Sequence, residues 1–417
     1  MMRSKNYPWI LVALLWGVAL LNYLDRQMLS TMKSAIMVDI TELQTATNFG
    51  RLMAVFLWIY AFMSPLAGMI ADRISKKKVI VGSLLVWSAV TCLMGFADTF
   101  QGLYILRALM GVSEALYIPA ALALIAEYHT GKTRSLAVGI HMTGFYMGQA
   151  LGGFGATLSE VFNWKYVFLL LGGVGIFYAL LLLFFLQDKT QNNGQDNNDA
   201  SAVESSNGNQ PLIYFLPTLR TLFSKTSFWI LLIYFAIPSL PGWAIKNWLP
   251  TLFSLNLHMD MSMAGPISTI TIAGSSLLGV LLGGRLSDKW VVANLRGRIY
   301  TSAFGLALTL PALFFLGYGD QIVFAVAAAF CFGVGFGMFD ANNMPILCQF
   351  VPAHQRATAY GFMNMTGVLA GAFITDFLGK STDAGRLGKD FAVMAVIVAL
   401  AVMLQLIFLK PVTQDAR

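Results

Sequence analysis

Eleven stretches of at least 19 residues carry no Asp, Glu, Lys or Arg: Asn6–Leu24, Leu52–Ala71, Val79–Ala97, Ser135–Ser159, Tyr166–Gln187, Thr226–Ile245, Met261–Gly284, Ile299–Gly319, Gln321–Phe339, Ala357–Thr375 and Phe391–Leu409. About 20 apolar residues make a helix long enough to cross a bilayer. A twelfth stretch, Thr99–Ala126, is apolar but holds Arg107 and Glu114. In hydrocarbon the backbone must satisfy its own hydrogen bonds, and uninterrupted apolar runs do so as helices. The pattern predicts an all-α membrane protein of twelve transmembrane helices. Only 11% of the 417 residues are charged, against about 25% in soluble proteins. That is too little to cover a water-facing surface, which excludes a soluble enzyme or nucleic-acid-binding protein. The first run continues through Asp25 and Arg26 to about Val38 with no small-residue cleavage site, so it reads as a retained span rather than a signal peptide.

Lys and Arg in the loops set the orientation of such a chain. With the N-terminus inside, 18 basic residues fall in inside segments and 4 in outside loops. Both termini are therefore expected in the cytoplasm of a multi-pass protein of the plasma membrane (the inner membrane of a bacterium). The same asymmetry accounts for the net charge of +7 without nucleic acid. From Asp188 to about Lys225 the sequence turns polar and rich in Asn, Gln and Ser, as a flexible linker does. The expected organisation is a six-helix bundle over residues 1–187, a cytoplasmic linker over 188–225, and a second six-helix bundle over 226–417.

The halves repeat. Gly68-Met-Ile-Ala-Asp72-Arg73, with Lys76, Lys77 and Lys78 behind it, matches Gly284-Arg-Leu-Ser-Asp288-Lys289, with Arg296 and Arg298 behind it, at an offset of 216. Arg134-Ser-Leu-Ala-Val-Gly139 matches Arg356-Ala-Thr-Ala-Tyr-Gly361 at 222. Parallel repeats of this kind are a transporter signature, with the substrate between the halves near the midplane. The duplicated Gly-x3-Asp-Arg loop in a 6+6 chain resembles the major facilitator superfamily. Within it, Asn22-Tyr-Leu-Asp-Arg26, Ser113-Glu-Ala-Leu-Tyr-Ile-Pro119 and Trp243-x4-Trp248-x-Pro250 are similar to the anion:cation symporters, which carry sugar acids with protons. The Asn-Tyr-x-Asp-Arg segment is also found in spinster-like lipid transporters. Lys246, Phe145 and the stretch Phe339–Pro345 depart from the sugar-acid pattern, so the first-half coupling machinery transfers better than the substrate. The resemblance implies a cytoplasmic gate built on Gly68, Asp72, Arg73, Arg134, Gly284 and Asp288, in which Asp72 caps the next helix or pairs with an arginine such as Arg134.

Charges at membrane depth are costly and usually face a cavity or a partner. At about 1.5 Å per residue, Asp25, Arg26, Arg107 and Glu114 overlap in height. Two pairs are predicted: Asp25 with Arg107, and Arg26 with Glu114. Arg107, Glu114 and Tyr117 share a helix face. The alternative is that these pairs are purely structural. Four charges in two neighbouring helices are expensive for packing alone, because buried ion pairs are weak stabilisers. Asp25 and Glu114 are assigned to proton coupling, and Arg26 and Arg107 to the anion. Protonation would release an arginine for a substrate carboxylate, and substrate departure would restore the pair.

Further substrate-binding candidates are Tyr60, Tyr117, His141, Trp243, Lys246, Asn247, Asn343 and Asn364. For Tyr60 the alternative is a satisfied core tyrosine. For His141 it is an interhelical hydrogen bond, and for Lys246 it is snorkelling to the outer interface. Glycines spaced by four (Gly144, Gly148, Gly152; Gly333, Gly337; Gly367, Gly371) allow helices to approach closely and are expected at the rocking interfaces. Gly131-Lys132-Thr133 lacks the earlier glycine of a phosphate-cradling loop. Cys92, Cys331 and Cys348 have no metal-ligand spacing. No cofactor, metal or catalytic residue is expected. The reading is a monomeric secondary transporter, not an enzyme, importing a small organic anion of the hexuronate, aldonate or sialic acid type by proton symport. The partners are that anion, protons and the bilayer. The rivals are a spinster-like lipid or lysolipid transporter and a transporter-fold ligand sensor.

Overall fold

A computed structural model describes residues 6–129, 133–188, 215–352 and 355–411. Seventeen α-helices and one short 3-10 helix (Thr41–Leu43) make up the regular structure there; the α-helices are α1 (Tyr7–Thr31), α2 (Lys33–Asp39), α3 (Ala46–Arg73), α4 (Lys76–Met94), α5 (Phe100–Ala115), α6 (Tyr117–Tyr128), α7 (Arg134–Gly152), α8 (Gly155–Phe162), α9 (Trp164–Phe185), α10 (Phe215–Phe223), α11 (Thr226–Asn256), α12 (Met261–Ala293), α13 (Gly297–Tyr318), α14 (Ile322–Asp340), α15 (Asn343–Phe350), α16 (Arg356–Asp383) and α17 (Leu387–Phe408). Local signals start them where the sequence allows. Pro8 sits in the first turn of α1, where no amide donor is needed. Thr45 and Thr99 cap α3 and α5 by accepting from Asn48 N and Gly102 N.

Eleven crossing elements are long and apolar enough for a membrane, with α5–α6 and α14–α15 each forming one interrupted span. The twelfth is α7 with α8. Its His141, Thr143, Gln149 and many glycines dilute the apolar character, yet it lies along α1 and reaches α12. Large apolar side chains such as Phe177, Phe184, Val323 and Val396 point outward, as a lipid-facing surface requires. Trp9, Trp229 and Trp290 lie exposed near one rim, where indole rings favour the bilayer interface.

The packing repeats as the sequence does. In the first half α1 lies on α7, α3 on α5 and α4 on α9; in the second α11 lies on α16, α12 on α14 and α13 on α17. Across the halves α3 meets α16, and α7 meets α12. The expected linker lies mostly outside the described residues. Its last part is not featureless: α10 forms there, and Phe223 packs edge-on against Phe228 and Phe362.

The glycine stripes sit elsewhere than expected. A side chain at Gly144 or Gly148 would strike the α1 backbone at Trp16 and Leu20, and one at Gly152 the side chain of Gln27. Gly337 meets α12 at Ser276, and Gly371 lies under Trp243. These seams hold each half together. The close approaches between halves use other glycines: Gly50 against Gly379, and Gly153 against Gly265. Among the described residues, only there do backbones of different halves touch through residues without side chains.

Candidate functional site

Contacts between the halves gather at the end where α1 finishes. Asp383, the last residue of α16, accepts hydrogen bonds from Ala46 N and Thr47 N at 2.8 Å each, and from Thr47 Oγ1 at 2.6 Å, so the second half caps the first turn of α3. Buried Lys33 places its ammonium 4.8 Å from the Trp248 ring and 5.8 Å from the Phe49 ring. Gln27 Nε2 donates to the Lys246 carbonyl at 3.1 Å. At the opposite end, side chains added at Gly68, Gly139, Gly284 and Gly361 would meet open space. Hydrogen bonds and ring contacts thus join the halves at the first end, and the four repeat glycines at the other have free space beside them.

Inside the first half, α5 ends one residue after Glu114 and α6 starts at Tyr117. Glu114 has no exposed surface. Its Oε2 accepts from Arg26 Nε at 2.5 Å and from Asn22 Nδ2 at 3.0 Å. Asn22 and Arg26 are four residues apart, one helical turn, so both reach the same carboxylate. The Arg26 guanidinium is boxed by aromatic rings, 5.1 Å from Tyr23, 4.7 Å from Phe56 and 5.0 Å from Tyr60. Arg26 Nη2 and Glu114 Oε1 are buried without a hydrogen bond. The pair is held at one point and open at the next.

Asp25 and Arg107 do not pair in this conformation. Successive helical residues are about 100° apart, so Asp25 and Arg26 cannot both face α5. Asp25 turns to α4, where Thr91 Oγ1 donates to its Oδ2 at 3.3 Å. Arg107 stacks 4.7 Å from Phe56 and donates to Met110 Sδ. Matching heights alone overlooked the turn of the helix.

Several candidates are spoken for within a half. The Tyr117 hydroxyl donates to Leu15 O at 2.7 Å and lies 2.8 Å from His141 Nε2, all fully buried. His141 is therefore joined by the interhelical hydrogen bond that was its alternative. Asn247 Nδ2 donates to Thr375 Oγ1 at 2.8 Å, tying α11 to α16. Asn343 accepts from Tyr234 Oη at 3.2 Å and donates to Asp340 Oδ1 at 3.2 Å. Asn364 reaches across the halves to Ser64 Oγ at 3.5 Å.

Lys246 does not run to the interface. It lines a cleft between the halves with Tyr146, Gln149, Ser276, Phe336 and Asp340. Its ammonium lies 4.9 Å from the Trp243 ring and 5.6 Å from the Tyr23 ring. Tyr23 thus stands between the cations of the two halves. Tyr146, Gln149 and Asn22 are the side chains to which sequence reasoning gave no role, and Asp340 stands out there only as a polar group, with Asn342 and Asn343, at the end of an apolar helix. A carboxylate directly closing the uncharged run Gln321–Phe339 was the available signal for Asp340.

Of the expected gate, Asp72 and Arg73 have side chains outside the described residues, and Arg134 is exposed. Helix α4 is capped by Ser75, whose Oγ accepts from Lys78 N, and by Asp188, which accepts from Lys77 N. Asp288 lies 4.0 Å from Arg298. Gly131 and Lys132 lie outside the described residues.

The sequence profile of the Major Facilitator Superfamily matches residues 15–375. The chain is 24% identical over 418 residues to the hexuronate transporter of Bacillus subtilis (strain 168), covering 96% of this chain and 95% of that one. It is 25% identical over 394 residues to the protein named Probable galactarate/D-glucarate transporter GudP of Escherichia coli (strain K12), covering 88% and 85%. A solved structure of a bacterial homolog to the human lysosomal transporter Spinster, inward-facing and unoccupied, superposes with a TM-score of 0.78 at 19% identity, covering 97% of each chain. That likeness concerns the fold.

Proposed function

The chain belongs to the Major Facilitator Superfamily, and we propose that it imports a sugar acid with protons by alternating access. The observation that carries this reading is the fully enclosed Glu114 bonded to Arg26 at 2.5 Å between α1 and α5. Removing one partner of a buried ion pair is far costlier than removing both. A proton arriving at Glu114 cancels its charge and leaves Arg26 in need of an anion. A substrate carboxylate fills that need, and the planar guanidinium fork suits it. The unbonded Nη2 is where the first contact forms. Asp25, on the opposite side of Arg26, is the second proton carrier. Relatives named for hexuronate and for galactarate and D-glucarate support a hydroxylated carboxylate as cargo. So do the polar groups of the cleft, Lys246, Asp340, Tyr146, Gln149 and Ser276, which share its lining with Ile245, Ile272, Phe332 and Phe336 and suit a hydroxylated carboxylate. In this reading both termini are cytoplasmic, the end with the four repeat glycines faces the cytoplasm of a bacterial cell, and the monomer is the working unit.

Purified protein in liposomes tests the reading. With an inward proton gradient, labelled glucuronate, galactonate or sialic acid should accumulate above equilibrium, and collapse of the gradient should release it. Movement of lysolipid with no accumulation of any of the three acids would overturn it.

A further inference from the structure

The second half carries its own copy of the Arg26–Glu114 chemistry. At an offset of 220, Tyr23-x2-Arg26-Gln27 in α1 becomes Trp243-x2-Lys246-Asn247 in α11. In each case the cation lies against the ring three residues earlier, Arg26 5.1 Å from Tyr23 and Lys246 4.9 Å from Trp243. At an offset of 226, Glu114 becomes Asp340 and Tyr117 becomes Asn343. Both carboxylates stand at the break of an interrupted span. Glu114 is followed by the α5–α6 junction, and Asp340 ends α14 just before α15. These offsets and those of the loop signatures, 216 and 222, all lie within ten residues of one another. The first pair is closed at 2.5 Å. The second is open: Lys246 and Asp340 face one cleft of about 380 Å³, counting the part open to solvent, and make no ion pair with each other.

We propose that Lys246 and Asp340 form a second anion subsite, in which Lys246 binds an acidic group of the substrate and Asp340 is the proton-accepting group that governs access to it. The proposal rests on the proton-symport reading above and adds a second coupled carboxylate to it. Asp340, when ionised, competes with the incoming anion for Lys246. When protonated, it no longer competes for the ammonium and offers its own O–H to a substrate hydroxyl. The other groups that face Asp340 are Tyr234 on α11, Tyr146 on α7, Tyr360 on α16 and Asn343 on α15. Ser276 of α12 shares the cleft, and α13 presents Gly305, Leu308 and Thr309 to α14. Lys246 is the cation among them. Counted together, Arg26, Arg107 and Lys246 balance Asp25, Glu114 and Asp340. An anion therefore enters a neutral site and brings a need for protons with it.

The test is a four-protein cycle of wild type, Lys246→Met, Asp340→Asn and the double variant, with Lys246→Arg as rescue. Glucuronate and its neutral amide are titrated by calorimetry at mildly acidic and mildly alkaline pH. Lys246→Met should weaken glucuronate about tenfold and leave the amide unchanged, with recovery in Lys246→Arg. Asp340→Asn should tighten glucuronate at alkaline pH and flatten its pH dependence. That effect should vanish in the double variant, because Asp340 acts through Lys246. An Asp340→Asn protein with wild-type affinity at both pH values, or one whose effect persists without Lys246, would overturn the proposal. Should the wild type bind none of the acids, the sugar-acid reading falls, and melting temperatures of the same four proteins decide the pair. Strong non-additivity at alkaline pH that shrinks at acidic pH upholds it, and additivity at both overturns it.

Discussion

Glu114 gathers two donors on one oxygen and leaves the other oxygen bare. A glutamine there keeps an acceptor for Arg26 and Asn22 but cannot take up or lose a proton. Glu114→Gln should therefore bind and exchange substrate yet fail to concentrate it, in a comparison of counterflow with gradient-driven uptake in liposomes. The sign with pH follows from the pair. Acid protonates Glu114 and frees Arg26, so substrate affinity in the wild type should rise as pH falls, and in Glu114→Gln it should stay flat. Arg26→Lys keeps the charge but loses the fork and its stacking on Tyr23, Phe56 and Tyr60. Carboxylate affinity should fall about tenfold or more with melting temperature little changed, as titration calorimetry and a thermal scan would register. The Arg26–Glu114 pair was legible in the sequence because two charges in apolar runs at equal depth have few other places to go. The Asp25–Arg107 pair was not there to be read. Depth follows from counting residues, but the direction of a side chain around the helix depends on which neighbour it faces, and Asp25 faces α4.

Between helices the deciding feature is backbone contact at glycine. Twelve crossings, their order and the repeat were legible because apolar run length and loop charge do not depend on tertiary context. Which glycine stripe belongs to which seam was not, since equal spacing serves a fixed seam and a moving one alike. Gly148 lies on the α1 carbonyl of Leu20, and a side chain added there has nowhere to go. Gly148→Leu should cost the first half about 1–3 kcal/mol or more and lower its melting temperature and yield. Gly379 differs because it touches the other half, at Ala46 O and Gly50 Cα. Gly379→Val should leave each bundle intact and instead wedge the joined end apart. A cysteine introduced at half-buried Thr47 should then react faster with a membrane-impermeant maleimide added outside, whereas an unchanged labelling rate would show the seam to be static. The short break after Glu114 is a different case. Within Thr99–Ala126 the signal for it is Pro119, which has no amide to give the carbonyl of Ala115, the last residue of α5, and the break sets the carboxylate at the end of a helix.

For the whole molecule, the geometry describes one state of a two-state device. One end is joined by Asp383 on α3 and by Lys33 over Trp248. The other has free space beside four glycines that belong to the repeated loop signatures, Gly68 with Gly284 and Gly139 with Gly361. If transport requires this end to close, these positions lose their space only in the opposite state. A large side chain there is then harmless to the conformation seen and obstructive to its counterpart. Gly68→Leu and Gly284→Leu should fold with wild-type melting temperatures and bind substrate from the open side. Their transport should fall about tenfold for every ~1.4 kcal/mol by which closure is opposed. Gly148→Leu is the control, because its side chain would meet backbone in either state of a rigid half. Binding by calorimetry, counterflow in liposomes and outside labelling at Thr47→Cys separate the cases. Trapping in the open state predicts retained binding, lost counterflow and slower labelling. Normal counterflow in both leucine variants would mean that the glycines at this end never come together, and that the halves do not rock about the seal at Asp383.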